Sequence, residues 1–219
     1  MPRSALSQRA LAGFIYGISV DITTERRLVV EKPVGGALGY RLKKTVVMVG
    51  MMGAGKTAIG MALARKLSVP FLDSDAEIVM ASNMTIAEIF ERDGEPFFRQ
   101  REREIIARLL TEETGVLSTG GGAYLSEENR RVISERGVAL WLRADLPLLW
   151  NRVRHKDSRP LLRTPDPRAT LARLYRERVP HYAKADLILD TEPDYSISQT
   201  TDLAVDTLLT RPDVLEVLP

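Results

Sequence analysis

An apolar run that turns abruptly into glycine sets the terms for this chain. Residues 46–57 read VVMVGMMGAGKT. The β-branched Val46, Val47 and Val49 predict a buried parallel strand, because such strands are covered on both faces and show no polar alternation. Gly50 and Gly55 then frame the pattern G-x-x-x-x-G-K-[ST], which ends at Lys56 and Thr57. Glycines in this loop let the backbone aim successive N–H groups at an anion. The following IGMALARKL places Ile59, Leu63 and Leu67 on one helical face, so a helix N-terminus and its dipole stand behind the loop. The ligand this predicts is the phosphate chain of a nucleotide. Lys56 is expected to reach the β- and γ-phosphates, and the Thr57 hydroxyl to hold a magnesium ion.

With 219 residues and 44% hydrophobic side chains, the chain can bury one ordinary α/β core and carry an extension. Its formal charge of +2 gives no global reason to expect nucleic acid. The lack of cysteine excludes disulfides and thiol chemistry and suits a reducing compartment, the cytoplasm. Two histidines, His155 and His181, are too few for a histidine metal centre. No run reaches the roughly 18 apolar residues that would cross a bilayer, so no membrane partner is expected. Residues 1–43 read as an N-terminal extension without chemistry. Arg3, Arg9, Ser4 and Ser7 precede any acid, a composition shared by plastid and other organelle transit peptides. Because Asp21, Glu25 and Glu31 soon follow, a disordered arm or an over-long start is the preferred reading. Within it, 23–33 suggests a short extended segment, and Gly35, Gly36 and Gly39 suggest a linker.

Beyond the glycine loop, 69–72 reads as a second strand closed by Asp73-Ser74-Asp75. Carboxylates there lie on the edge where open α/β sheets bind ligands. Two apart on an extended backbone, Asp73 and Asp75 would face the same way, one serving magnesium and the other a substrate. The competing reading makes this cluster, Asp75 in particular, a helix cap ahead of Ala76-Glu77-Ile78. Helices are expected over 85–92, where Thr85 and Glu88 have capping-box spacing, and over 95–110. The second is rich in charge, and spacing alone does not choose Arg99 over Arg101 as a functional cation. Glu102, three residues on, is placed to orient Arg99. A third strand, 116–118, runs into Gly120-Gly121-Gly122, which would bring a ligand close to bare backbone. Helix 126–136, strand 138–142 and helix 145–153 follow. The basic, proline-rich stretch 152–167 reads as a lid that delivers Arg159 to a phosphoryl group. Helix 168–179, strand 187–189 and helix 196–209 complete an alternation that predicts a three-layer αβα fold around a five-stranded parallel sheet.

Taken together, GMMGAGKT, FLDSD, GEPFFRQRE, STGGGA, SRPLL and RVPHY, in this order, resemble shikimate kinase over residues 45–210. The resemblance implies a P-loop domain at 44–211, with a substrate-binding helical insert at about 76–111, a mobile lid at about 154–167 and a tail at 212–219. It implies ATP- and magnesium-dependent phosphorylation of the 3-hydroxyl of shikimate by a monomer. Carried onto this chain, Gly53, Ala54, Gly55, Lys56, Thr57 and Ala58 wrap the phosphates, with Arg159 above them. Thr57 binds Mg2+ and Asp73 assists through water. Shikimate lies among Asp75, Arg99, Gly121 and Arg178, with Phe90 and Phe98 as apolar walls. Lys56, Asp75 and Arg159 are the expected catalytic groups. The chain departs from the family at Glu192-Pro193-Asp194-Tyr195, where relatives carry an arginine or glutamine near the adenine, so Arg152 or Arg154 becomes the candidate for that contact. Two other readings compete: a kinase for a different sugar acid such as gluconate, and an idle nucleotide-binding scaffold.

Overall fold

The apolar run that opens the glycine loop becomes the middle of the sheet. In the computed structural model, which describes residues 39–155 and 160–218 and the backbone of 14–15 and 18–19, this strand is buried along its whole length. In chain order the elements are β1 (Phe14–Ile15), β2 (Ile18–Ser19), β3 (Tyr40–Leu42), β4 (Thr45–Val49), α1 (Lys56–Leu67), β5 (Phe71–Asp73) and α2 (Ser74–Ser82). Then come α3 (Ile86–Arg92), α4 (Gly94–Glu112), β6 (Val116–Ser118), α5 (Glu127–Arg136), β7 (Gly137–Arg143) and α6 (Leu146–Val153). The chain closes with α7 (Pro167–Tyr182), β8 (Leu187–Asp190), α8 (Ile197–Leu209) and β9 (Leu215–Val217).

Five strands form one parallel sheet in the order β5-β6-β4-β7-β8. Val46 of β4 lies opposite Val116 of β6 on one side and Val138 of β7 on the other. The crossover through α1 runs toward one edge of the sheet, whereas those through α4 and α5 run toward the other. A common right-handedness therefore puts them on opposite faces, which gives the three layers. Gly60 lets α1 approach the sheet closely: a β-carbon there would lie 2.9 Å from the Phe71 ring and 3.4 Å from Met48. Among the described residues no helix is long and apolar enough to cross a membrane.

Local chemistry explains most boundaries. Thr85 and Glu88 form the expected capping box, and Ser196 forms another with Gln199. Ser126, Asp145 and Asp166 each accept a backbone N–H at the start of their helices. The sequence reading places no strand at β3 or β9, which fall in the stretches read as extension and tail, and assigns α2 no range; two further boundaries move. The second strand starts at Phe71 rather than at residue 69, because Ser68 turns left-handed after α1 and the Val69 N–H is drawn back to Ala64 O. Helix α7 continues past Val179 through Pro180. Tyr182 is fully buried and its hydroxyl donates to Gly121 O at 2.5 Å, which holds the final turn against the missing proline N–H.

The two ends of the domain meet. β3 pairs antiparallel with β9, Tyr40 opposite Val217, and Lys44 reaches Asp213 at 2.8 Å. β1 and β2 form their own short antiparallel pair. The extended segment expected at 23–33 and the Gly35-Gly36 linker lie outside the described residues.

Candidate active site

The glycine loop turns at the carboxyl end of β4. Gly55, with φ of +101°, caps α1, a backbone geometry that a β-carbon would strain, and α1 starts at Lys56. The Lys56 ammonium donates to Gly50 O at 2.9 Å and Met51 O at 3.1 Å, inside the curl of the loop. Thr57 Oγ1 lies 3.4 Å from Ser118 Oγ, so the first turn of α1 meets the end of the neighbouring strand β6. A cleft of about 510 Å³ opens over this loop. Residues 53–58, Asp73, Asp75 and Gly121 all line it.

The acidic pair sits differently from the sequence reading. Asp73 ends β5 with extended backbone and caps α2, its Oδ1 accepting the N–H of Asp75 at 3.0 Å and of Ala76 at 3.2 Å. Asp75 is therefore in the first turn of a helix, not on an extended strand, and it is the turn that swings it to the same cleft. Burial raises the Asp73 carboxyl above its ordinary range even though two N–H groups and Lys56 act the other way. Asp75 is pushed up to about 7, first by burial and then by the negative charges of Asp73 and Glu102, with Lys56 and Arg99 opposing. A carboxylate so placed titrates near neutrality, the range that suits a general base.

Thr57, Asp73 and Ser118 bring one carboxylate and two hydroxyls to the phosphate end of the cleft. Among the described residues no cluster of three or more acidic, histidine or cysteine side chains forms a metal cage. That donor set fits Mg2+, which keeps its waters, takes phosphate oxygens and needs only one or two protein ligands.

The third wall is Gly120-Gly121-Gly122, and here the structure separates Arg99 from Arg101. Arg99 lies against Gly122 so closely that a β-carbon there would fall 2.5 Å from its guanidinium. Its Nη1 donates to Glu102 Oε2 at 2.8 Å, and its Nη2 to Glu95 Oε1 at 3.0 Å. Burial alone would lower the Arg99 pKa, but Glu102 and Glu95 raise it, and the group is a permanent cation. Arg101 instead stacks on Phe97 and pairs with Glu104, facing away from the glycines. Phe98 is buried under Arg99, and its ring packs 4.8 Å from the more exposed Phe90. Arg178 is buried on α7, with Nη1 3.5 Å from the position of a Gly121 β-carbon. Both guanidinium groups thus approach the same three glycines from different helices.

Sequence reading missed Tyr182, one helical turn beyond Arg178, and Ser118, at the end of β6. Burial keeps the Tyr182 phenol at about 12, a neutral donor to Gly121 O. A weak signal existed: Arg178 and Tyr182 are four apart in a helical stretch. Beside the glycine loop, Arg152 Nη1 lies 3.4 Å from Ala54 O, and Tyr195, Ile197 and Thr200 line the same cleft. Arg154 is exposed and does not line it. Arg159 lies outside the described residues, as does 156–158 of the expected lid; the described remainder holds a short 3-10 turn at Pro160–Leu162.

A family model for shikimate kinase matches residues 52–208. A shikimate kinase of Ruegeria pomeroyi is 66% identical over 183 residues, 84% of this chain and 93% of that one. One from Cereibacter sphaeroides is 62% identical over 176 residues, 80% of this chain and 88% of the relative. Among solved structures, the shikimate kinase of Acinetobacter baumannii in complex with shikimate superposes with a TM-score of 0.70 at 34% identity, covering 77% of this chain and 94% of that one. A gluconokinase from Sinorhizobium meliloti matches with a TM-score of 0.52 at 16% identity, a likeness of fold.

Proposed function

The chain belongs to the shikimate kinase family, and on that premise we propose that its cleft transfers the γ-phosphoryl group of ATP to the 3-hydroxyl of shikimate, giving shikimate 3-phosphate and ADP. One observation carries the site assignment: the glycine loop, two guanidinium groups and the Asp75 carboxyl all flank the same glycine wall.

In this reading Gly53 to Ala58 hold the phosphates through backbone N–H groups and the N-terminus of α1. Lys56 leaves the carbonyls of Gly50 and Met51 to meet the β- and γ-phosphates, and Arg159 joins it from the lid to neutralise the moving group. Arg99 and Arg178 present planar forks to the acceptor's carboxylate, and Gly121 offers backbone to its ring. Asp75 accepts the hydroxyl proton as the oxygen attacks phosphorus, while the bond to the bridging oxygen of ADP breaks. Thr57, and Asp73 through water, would hold Mg2+, which supplies charge neutralisation on the β- and γ-oxygens. Adenine has Arg152 and Tyr195 in the lining of its cleft, the tyrosine standing in the stretch where the family pattern is lost. We take the cysteine-free chain to work as a monomer in the cytoplasm.

The test is ADP release by the purified full chain with ATP, Mg2+ and a panel of acceptors. Shikimate is expected to turn over and gluconate to be inert. Turnover of gluconate without shikimate would sink the assignment, and nucleotide binding without any turnover would favour a scaffold.

A further inference from the structure

Two carboxylate oxygens have no protein partner among the described residues although neither sees solvent: Asp75 Oδ1 and Glu102 Oε1. They converge. A β-carbon built on Gly120 would lie 2.9 Å from Asp75 Oδ1 and 3.2 Å from Glu102 Oε1, and no other group comes as near to that point. Glu102 is fully buried, and its other oxygen is already committed to Arg99. A buried anionic acceptor without a donor is costly, and two that face one spot also repel. Placing a positive ion there has little support, since no third acidic ligand joins them among the described residues.

We propose that Asp75 and Glu102 jointly hold one buried water molecule against the bare Cα of Gly120, and that Glu102 is a positioning residue for Asp75 through it. Water is the occupant that matches the two oxygens: it is neutral and small, and it brings two O–H donors to two acceptors. Gly120 is then required for its size. The arrangement is a continuous chain from Arg99 through Glu102 and the water to Asp75. It ties the group that takes the acceptor's carboxylate to the group that takes its hydroxyl, fixing their separation. This assignment of roles rests on the function proposed above.

The first measurement is a high-resolution crystal structure of the full chain, in which a water within about 3 Å of both oxygens is expected. Direct contact of the two carboxyl groups, or a protein donor between them, overturns the proposal. The second is steady-state kinetics. Gly120→Ala, which sets a β-carbon 2.9 Å from Asp75 Oδ1 and 3.2 Å from Glu102 Oε1 and so crowds the pair, should lower kcat roughly 10- to 100-fold by misplacing Asp75, with ADP affinity by calorimetry unchanged. Glu102→Ala should lose as much, and Glu102→Gln, which keeps a partner for both Arg99 and the water, should recover most of that loss. If both alanine variants raise only the acceptor KM and leave kcat intact, Glu102 serves Arg99 alone and the idea fails. Should the wild-type chain not phosphorylate shikimate at all, the proposed function falls while the crystallographic reading still stands or fails by itself.

Discussion

Replacing Asp75 with asparagine should stabilise the protein at high pH while stopping the reaction. The carboxyl titrates at 3.8 in an ordinary setting and at about 7 in the folded chain, mainly because it is buried. Between those values the native state holds a proton that the unfolded chain has released, so stability falls as pH rises through that window. Below about pH 4 the residue costs nothing, and above 7 its penalty is complete. Raising the carboxyl from 3.8 to about 7 corresponds to roughly 4 kcal/mol, an upper figure because water and side chains relax around the charge. The Asp75→Asn substitution removes the charge and keeps the shape. Urea unfolding of the ligand-free, Mg2+-free protein should therefore give stabilities within about 1 kcal/mol of each other near pH 4.5. Near pH 8.5 the variant should be more stable by about 2–4 kcal/mol. Shikimate-dependent ADP release should vanish in the same variant while ATP affinity stays nearly intact. A stability difference that is the same at both pH values would refute the assignment of a buried, late-titrating carboxylate, and normal turnover would remove Asp75 from the chemistry.

Two further outcomes are expected. In the wild-type enzyme kcat/KM for shikimate should rise as pH passes through about 7, as Asp75 becomes an acceptor, and level off above it; a flat kcat/KM profile from pH 5 to 9 would contradict a base with the raised pKa of the free chain. Arg178→Ala should raise the KM for shikimate by roughly 10- to 100-fold with little change in ATP affinity, the range set by losing a charge-assisted hydrogen bond, and an unchanged KM would place that guanidinium outside the substrate pocket.

How much of this was legible follows from where each signal resides. The sheet could be read because β4, β6 and β7 are short apolar runs whose burial is a local property of composition. The phosphate loop could be read because its pattern and its mechanics occupy one stretch. Asp75 was legible as a residue but not as a geometry: whether the strand stops at Asp73 or continues depends on Asp73 capping α2, a choice two overlapping propensities leave open. The choice between Arg99 and Arg101 was beyond spacing, since both stand on one helix two residues apart and only the distant Gly122 decides which has a glycine wall to lie against. Tyr182 was hidden by the proline before it, which made the helix look finished.

The pairing of β4 with β6 has a consequence for how such a catalyst can vary. Loop and glycine floor leave the sheet from adjacent, hydrogen-bonded strands, Met48 opposite Ser118 one step before each turn. Their separation is thus an inter-strand spacing, roughly 5 Å, and does not depend on how the surrounding helices are disposed. The two turns share a rigid ruler, so substitutions in the helices at 76–111, outside Arg99 and Glu102, can reshape that side of the cleft without changing how far the glycine loop lies from the glycine wall.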